Sequence, residues 1–398
     1  MESKFRIPSI KFDLTRSRPT PKFLPFSFFT FHFSLIIMFM SKTEWLSAAP
    51  MSATNNKADT PLFPFLVRLI RGEDLSELEA ADFFRALTDI NANPAQMAGS
   101  LAALTAKGET FEELAGMARV MREQAVKIST RNKNFIDLAG TGSSQAKTFN
   151  VSTAAAFVTA GAGLTVAKHA SRAVTSQTGS ADVLGKLGVK ISGEPEVAQT
   201  LLNGVGLCFM FAPKFHPSLR RVGDIRRSLG IRSCLNLLGV LSNPAGAPKQ
   251  LVGVWHESLV EPMAQALALL GTEKAWVVHG SDGLDEITLA GETLVAEVFG
   301  NKLRMFRLAP EDFKLPRGDI KHLRAESAEQ SAKIIRDVLS SKRRDEARSL
   351  IVLNAAAALL IGGTARDPIQ AARLAEQSID SGQAQNKLDR LIQTTNKR

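Results

Sequence analysis

Apolar residues recur at helical spacing between residues 60 and 130. Leu75, Leu78, Ala81, Phe84 and Leu87 would share one face of a helix, and similar stretches follow along the chain. Helices with such a stripe bury it against neighbouring elements. The pattern therefore predicts several amphipathic helices that pack into a small helical domain.

Polar residues in front of these stretches indicate where the helices begin. Asp74 followed by Glu77, and Thr110 followed by Glu113, have the spacing of capping boxes. Asn93 precedes a proline, a pair typical of the first residues of a helix. We therefore predict helix starts at these three places.

Beyond residue 130 the pattern changes to short apolar runs that alternate with helical stretches. The runs that we predict to be strands are FIDLA (135–139), LTVA (164–167), VKI (189–191), LCFMF (207–211) and AWVVH (275–279). Residues 151–163 and 180–188 lie between them and have helical patterns. This alternation predicts an α/β fold with a mostly parallel central sheet flanked by helices.

One stretch interrupts the alternation, because residues 214–246 again look helical. We infer that this segment returns to the helical domain. The prediction is a small all-helical domain made of residues 58–130 and 214–246, and a larger α/β domain made of residues 131–213 and 247–398.

Residues 1–50 differ in composition from the rest of the chain. Residues 23–40 are apolar and aromatic and follow a basic stretch, as in a signal peptide or a membrane anchor. Pro25 and several polar residues interrupt the run, and no small-residue cleavage site follows directly. We predict an extension outside the fold, disordered or non-native, and no membrane partner. A targeting segment is the alternative.

Composition and charge narrow the functional classes. The chain has 398 residues, 44% hydrophobic and 22% charged, which suits a globular protein of two domains or one large one. The two cysteines show no metal-binding spacing and fit a reducing cytoplasm. The net charge is +10, but residues 1–50 hold seven Lys/Arg against three Asp/Glu, so +4 belongs there. The remainder fits anionic substrates and does not favour nucleic acid.

A glycine-rich turn follows the first predicted strand and leads into a helix with the sequence TFNVST at its start. Glycines let backbone N–H groups approach a phosphate closely, and a helix start adds unpaired N–H groups. We predict a phosphate-binding site here. Its candidate residues are Gly140, Thr141, Gly142, Ser143, Ser144, Thr148, Asn150, Ser152 and Thr153.

A second polar segment follows the next strand. Lys168 offers a compact cation for a pyrophosphate, and Ser176 and Thr178 offer hydroxyl groups. His169 could orient a substrate amine or carboxylate, or it could be a structural histidine bonded to backbone. Arg226 could bind a planar carboxylate bidentately, or it could lie on a solvated helix face.

Two adjacent carboxylates, Asp285 and Glu286, follow the last predicted strand. Magnesium in proteins takes one or two carboxylates and completes its coordination with water and substrate phosphate oxygens. Ligands of open α/β sheets lie beyond the carboxyl ends of the strands, so these residues and the glycine-rich turn can share one cleft. We therefore predict that they hold magnesium.

Four blocks of the chain together resemble a known family. They are GTGSSQAKTFNVSTA, KHASRAVTSQTGSADVL, FMFAPKFHPSLRRVGDIRRSLGIRSCLNLLGVLSNPAG and HGSDGLDE. Their content, order and spacing resemble the anthranilate phosphoribosyltransferases over about residues 62–370. The resemblance implies transfer of the phosphoribosyl group from phosphoribosyl pyrophosphate to anthranilate in tryptophan biosynthesis. It also implies a cytoplasmic homodimer that uses Mg²⁺, with two ions per subunit.

The resemblance also implies roles for individual residues. Those that match the donor site are Gly140, Asn150, Ser152, Thr153 and Lys168. Asp285 and Glu286 match the magnesium ligands, and Ser152 matches a residue that can join the metal. Those that match the anthranilate site are Gly140, His169, Ser171 and Arg226, with the arginine facing the carboxylate. The resemblance assigns no strong general base, and charge stabilisation falls to Lys168, Asp285 and Glu286.

The chain departs from the family pattern at two places. Ser143 replaces the second glycine of a GTGG turn, and Ala170 with Ser171 replaces the Gly-Asn of KHGN. The second change leaves open transfer to another aromatic amine. Further alternatives are a non-catalytic relative that binds nucleic acid and a pyrimidine nucleoside phosphorylase, whose signature we do not find.

Overall fold

The computed structural model describes residues 60–142, 144, 146–171, 179–191 and 193–397. The predicted extension, residues 1–50, therefore lies outside the described residues. The first part is helical, with α1 (Phe63–Ile70), α2 (Glu77–Thr88), α3 (Pro94–Lys107) and α4 (Phe111–Glu123). Among the described residues, no helix has both the length and the apolar character needed to span a membrane.

Two of the three predicted helix starts are confirmed. Thr110 and Glu113 form a capping box, in which each side chain accepts a hydrogen bond from the other residue's backbone N–H. Asn93 caps α3. The third prediction is wrong, because α2 is capped by a box of Ser76 and Glu79.

The carboxylate of Asp74 is engaged elsewhere, which explains the misplaced start of α2. Its Oδ1 accepts a hydrogen bond from Nζ of Lys107 at 2.7 Å. That contact joins residues 33 positions apart, so local spacing does not reveal it. Ser76 is left to cap the helix two residues further on.

The rest of the chain forms a seven-stranded sheet with helices packed on it. Its strands are β1 (Phe135–Gly140), β2 (Thr165–Ala170), β3 (Leu207–Phe211), β4 (Lys249–Gly253), β5 (Lys274–Gly280), β6 (Thr293–Phe299) and β7 (Lys302–Leu308). The strand order is β3-β2-β1-β4-β5-β6-β7, and the first five strands run parallel. Within the described residues, antiparallel pairing is confined to β5 with β6 and β6 with β7. The predicted fold class is confirmed.

Helices connect the strands and follow the last of them. They are α5 (Val151–Gly161), α6 (Ser180–Lys186), α7 (Pro195–Gly204), α8 (Ala212–Phe215), α9 (Arg220–Leu229), α10 (Cys234–Leu241), α11 (Val260–Leu269), α12 (Ala328–Leu339), α13 (Glu346–Ile361), α14 (Pro368–Asp380) and α15 (Gln383–Asn396).

One predicted strand is wrong, and three strands are missing from the prediction. Residues 189–191 follow Gly188, whose φ of +96° turns the chain, and the N–H of Lys190 donates to Thr395 Oγ1 at 3.2 Å. The segment therefore connects two helices and joins no strand. The missed strands are β4, β6 and β7, of which β7 lies at the sheet edge and is mostly exposed.

The buried side chains form two clusters on opposite faces of the sheet. Leu251 and Trp276 point into one cluster with α5 and α13, whereas their neighbours Val252 and Val277 point into the other. The second cluster also contains α1 to α4 and helices α9 to α11. Residues 220–241 thus pack with the N-terminal helices, as the predicted discontinuous domain requires. The domain boundaries themselves stay a prediction.

Candidate active site

The candidate site lies at the carboxyl ends of β1, β2, β4 and β5. Gly140 ends β1 and pairs in register with Gly253, which ends β4. The loop between β5 and β6 returns over these two glycines and brings Asp285 against them. Ligands of parallel sheets bind at this edge, so the fold places the predicted motifs in one region.

Asp285 lies directly against the glycine-rich turn. Its Oδ2 accepts a hydrogen bond from the backbone N–H of Gly142 at 2.8 Å. A Cβ atom at Gly140 would lie 2.8 Å from that oxygen, and one at Gly253 would overlap the backbone carbonyl of Asp285. Gly253 therefore needs to be glycine because the neighbouring atom is backbone, whereas a side chain at Gly140 would require the Asp285 carboxylate to move.

Glu286 contacts the other half of the predicted phosphate site. Its Oε1 accepts a hydrogen bond from the N–H of Ser152, in the first turn of α5, at 3.1 Å. Burial and the neighbouring Asp285 raise the pKa of Glu286 to about 8. Both carboxylates are half-buried. Two carboxylates held together away from bulk water repel each other, and a hard divalent cation relieves that repulsion. The donor set therefore fits Mg²⁺.

Lys168 is buried near these carboxylates, whose charges act on it. Its Nζ donates to the backbone carbonyl of Leu138 and to Ser152 Oγ, the latter at 3.2 Å. Burial lowers the pKa of Lys168, whereas the charges of Asp137 and Glu286 act against this shift. Two of the three N–H donors of the protonated lysine thus bond to Leu138 and Ser152.

The side chains of the glycine-rich turn bond to backbone groups of the turn and of the neighbouring Trp255. Thr141 Oγ1 accepts the N–H of Trp255 at 3.1 Å. Ser144 Oγ and Thr148 Oγ1 donate to nearby backbone carbonyls at 2.8 and 3.0 Å. These bonds hold the turn in shape. Ser143, in the same turn, lies outside the described residues.

The polar side chains at the start of α5 differ in their hydrogen bonds and in their burial. Asn150 Oδ1 accepts a hydrogen bond from Ser331 Oγ at 2.9 Å, and the backbone N–H of Asn150 donates to the same hydroxyl at 3.0 Å. Thr153 is fully buried, so backbone N–H groups at the helix start are better placed for a phosphate than its hydroxyl. Ser176 and Thr178 are not among the residues that the structure describes.

Two buried histidines lie side by side near the helical insertion. The imidazole Nδ1 of His169 donates to the backbone carbonyl of Gly239 in α10 at 2.7 Å. Its Nε2 is buried without a hydrogen-bond partner among the described residues. The ring of His216 lies 5.0 Å away. Burial lowers the pKa of His169 to about 4 and that of His216 to about 3, so both rings are neutral at pH 7.

The two arginines of α9 have different surroundings. Arg226 is partly buried beside Cys234, and its Nε is a buried donor that has no partner within the described part of the chain. Arg227 is exposed and pairs with Asp224. A buried guanidinium N–H without a partner suits a carboxylate ligand. Ser171 is exposed at the end of β2, and its N–H donates to Ser180 Oγ at 3.1 Å.

Comparisons with known proteins agree with this geometry. Models of a glycosyl transferase family match residues 64–125 as its helical bundle domain and residues 132–385 as its a/b domain. The anthranilate phosphoribosyltransferase of Moorella thermoacetica is 46% identical over 325 residues, which cover 82% of this chain and 96% of that protein. That of Syntrophobacter fumaroxidans is 45% identical, covering 83% and 97%.

Solved structures give the same result. Anthranilate phosphoribosyltransferase from Thermus thermophilus superposes with a TM-score of 0.78 at 37% identity, covering 83% of this chain and 99% of that one. The chain belongs to the anthranilate phosphoribosyltransferase family. The Saccharomyces cerevisiae enzyme in complex with PRPP and Mg superposes with a TM-score of 0.79 at 26% identity, covering 85% and 99%.

As a member of the anthranilate phosphoribosyltransferases, the chain is an enzyme of the phosphoribosyl-transfer class. The resemblance of the four sequence blocks is confirmed. Both domains of the family are matched, and the relatives are covered nearly end to end.

Sequence reasoning missed a buried polar network next to the candidate site. Asp137 accepts the N–H of His169 at 3.2 Å and the amide of Asn243 at 2.6 Å. Asn243 also donates to the carbonyl of Ala167 at 2.8 Å. The network ties β1 and β2 to the end of the helical insertion. An acidic residue inside the apolar run FIDLA was the available signal.

Proposed function

We propose that this chain transfers the 5-phosphoribosyl group from phosphoribosyl pyrophosphate to the amine of anthranilate, as a step of tryptophan biosynthesis. One observation carries the proposal. Asp285 and Glu286 bond separately to the N–H groups of Gly142 and Ser152, so two carboxylates meet two anion-binding backbone segments. A magnesium pyrophosphate needs both kinds of group.

Asp285, Glu286 and Ser152 would hold magnesium. The ion supplies charge neutralisation for the departing pyrophosphate. We expect two ions per subunit, as the resemblance to the family implies.

The donor would lie along the glycine-rich turn and the start of α5. Backbone N–H groups bind its phosphate oxygens, and Lys168 adds positive charge. The residues that we assign to donor binding are Gly140, Thr141, Gly142, Ser143, Ser144, Thr148, Asn150, Ser152, Thr153, Lys168, Ser176 and Thr178.

The acceptor would lie between the end of β2 and the helical insertion. Arg226 binds the anthranilate carboxylate, and the observation in favour is that its Nε–H has no partner in the described part of the chain. The neutral His169 Nε2, which also has no partner there, can accept a hydrogen bond from the amine. Gly140 and Ser171 complete the lining of the acceptor site.

The reaction forms a bond between the amine nitrogen and the anomeric carbon while the bond from that carbon to pyrophosphate breaks. An aromatic amine attacks with its lone pair and loses its proton afterwards to solvent, so no strong general base is needed. The residues act by holding the two substrates in line and by stabilising charge on the leaving group. Positioning and preorganised electrostatics together account for large rate accelerations.

A fluorescence assay tests this function. Purified protein, magnesium chloride, phosphoribosyl pyrophosphate and anthranilate are mixed, and the loss of anthranilate fluorescence is followed. We expect a loss that stops when EDTA is added and resumes with excess magnesium. A folded protein that consumes no anthranilate under these conditions would contradict the proposal.

The acceptor could also be another aromatic amine, because Ser171 is small and exposed. The same assay with ring-substituted anthranilates, followed by pyrophosphate release, distinguishes the two. We expect anthranilate to give the highest kcat/KM. A substituted amine that exceeds it would reassign the acceptor.

We also propose a homodimer formed through the helical bundle. Phe63 and Ile70 lie seven residues apart on α1, on the same face, and are 38% and 57% exposed. The prediction that Leu78 of α2 lies on a buried face is wrong, because its side chain is 79% exposed. Sedimentation velocity tests the homodimer, and Ile70→Glu should shift the protein to the monomer. A monomeric native protein would contradict it. The predicted cytoplasmic location stays a prediction.

A further inference from the structure

Asn354 is a polar residue in an otherwise apolar part of a helix. It lies in α13, and between residues 350 and 361 it is the only polar residue. The side chain is completely buried. Burying an amide without partners is costly, so a buried asparagine in an apolar helix calls for a specific role.

The hydrogen bonds of Asn354 show what that role involves. Its Oδ1 accepts the backbone N–H of Ile287 at 3.0 Å, and its Nδ2 donates to the carbonyl of the same residue at 2.9 Å. The second Nδ2 hydrogen donates to the carbonyl of Leu350 within the helix at 3.0 Å. Two bonds to both peptide groups of one residue fix its orientation as well as its position.

Ile287 directly follows the carboxylate pair. The loop that carries Asp285 and Glu286 has no regular secondary structure between β5 and β6. Its contacts through Gly142 and Ser152 use the carboxylate oxygens themselves. A ligand or a cation that engages those oxygens competes with these contacts. The bonds from Asn354 hold the backbone without using the carboxylates.

Helix α13 can hold this loop in place because it packs against the rest of the site. It packs against α5, whose first turn contains Ser152, and against β4, which ends at Gly253. The helix therefore supports the phosphate-binding helix and the carboxylate loop together. The hydrogen bonds from Asn354 of α13 to Ile287 therefore hold the carboxylate loop at a set distance from α5.

We propose that Asn354 is a positioning residue that holds the backbone of the Asp285–Glu286 loop in the orientation needed to bind magnesium pyrophosphate. The proposal rests on the proposed function, since it assigns a part in donor binding. It predicts that Asn354 affects donor and metal binding and leaves acceptor binding unchanged.

The test compares two variants of the full chain. Asn354→Leu is close in size and removes both bonds to Ile287. Ser378→Ala is the matched control, because Ser378 is a buried residue of α14 whose hydroxyl donates to the carbonyl of Val158 at 2.8 Å. Titration calorimetry measures binding of phosphoribosyl pyrophosphate in excess Mg²⁺, and Mn²⁺ binding is followed by electron paramagnetic resonance.

We expect Asn354→Leu to weaken both binding constants by roughly 10-fold or more, the size of effect seen when groups that orient metal ligands are removed. The KM for anthranilate should stay within about twofold, a pattern that general destabilisation does not produce. Ser378→Ala should bind both ligands as the native protein does. Native binding by folded Asn354→Leu, or an equal loss in Ser378→Ala, would overturn the inference.

Amide hydrogen exchange on the native chain decides the matter if Asn354→Leu does not fold. The N–H of Ile287 should exchange as slowly as those of α13, and fast exchange would overturn the inference. Failure of the proposed function is distinguishable, because the native protein itself would then not bind phosphoribosyl pyrophosphate with magnesium.

Discussion

At the residue scale, neighbouring side chains of the same type have different roles because their surroundings differ. Arg226 and Arg227 are adjacent on α9. Arg226 is partly buried and its Nε–H has no partner among the residues that the structure describes, whereas Arg227 is exposed and ion-paired to Asp224. The sequence RR alone cannot distinguish them, since both residues fit a solvated helix face.

Arg226→Ala should therefore raise the KM for anthranilate by roughly 10- to 100-fold, the cost of losing a charge-assisted bidentate contact. The KM for phosphoribosyl pyrophosphate should hardly change. Arg226→Lys should recover little, because lysine lacks the planar fork. Arg227→Ala is the matched control, and steady-state kinetics measure all three. Equal effects of the two alanine substitutions would remove Arg226 from the acceptor site.

The buried histidines predict a dependence of stability on pH. The pKa of His169 falls from 6.5 to about 4 on folding, and that of His216 to about 3. Between pH 6.5 and 4 the unfolded chain binds protons that the folded chain does not, so stability falls as pH falls. Each histidine should cost about 1.4 kcal/mol per pH unit in that window.

Urea unfolding at pH 7, 6 and 5 measures this slope. His216→Phe keeps a ring in the pair but removes one proton site, so its free energy of unfolding should fall less steeply as the pH is lowered. A slope that equals that of the native chain would show that His216 is not buried as a neutral ring.

At the element scale, close packing depends on small residues that sequence patterns do not mark. Helices α2 and α4 lie so close that a Cβ at Gly116 would overlap the backbone carbonyl of Glu77. The apolar stripes predicted both helices, but not how near they come. The sequence pattern likewise does not reveal the close contact at Gly253, because the neighbouring backbone, that of Asp285, belongs to a loop far along the chain.

Gly116→Ala should lower the free energy of unfolding by roughly 1–3 kcal/mol, because backbone atoms cannot move aside as a flexible side chain can. Gly185→Ala in α6 is the control, since its Cβ would meet open space. That change should be neutral or slightly stabilising. Chemical denaturation compares the two, and similar values for both variants would argue against the tight contact.

Local sequence patterns predicted helix starts correctly where the capping hydrogen bonds join residues close together in the chain. Thr110 and Asn93 cap helices as their spacing indicates. Asp74 was misleading because its partner, Lys107, lies far along the chain. The run VKI has strand composition, but Gly188 and a bond to the last helix take it out of the sheet.

At the scale of the whole molecule, the site combines segments that are far apart in sequence. The turn at Gly142 and the carboxylate of Asp285 are 143 residues apart, yet they share a hydrogen bond. The motifs could be found in the sequence because each is local and follows a strand. Their mutual contacts, and supports such as Asn354, depend on the packing of α13 and could not be predicted from the sequence.

In the mechanism that we propose, Asp285 and Glu286 hold the magnesium needed for phosphoribosyl transfer. The most direct measurement is the turnover of Asp285→Ala/Glu286→Ala, with folding checked by circular dichroism and with Glu292→Ala, an exposed acidic residue of the same loop, as control. We predict a loss of roughly 10³-fold or more in the folded double variant, and near-native turnover in the control. Near-native magnesium-dependent turnover in the double variant would show that these carboxylates do not hold the metal.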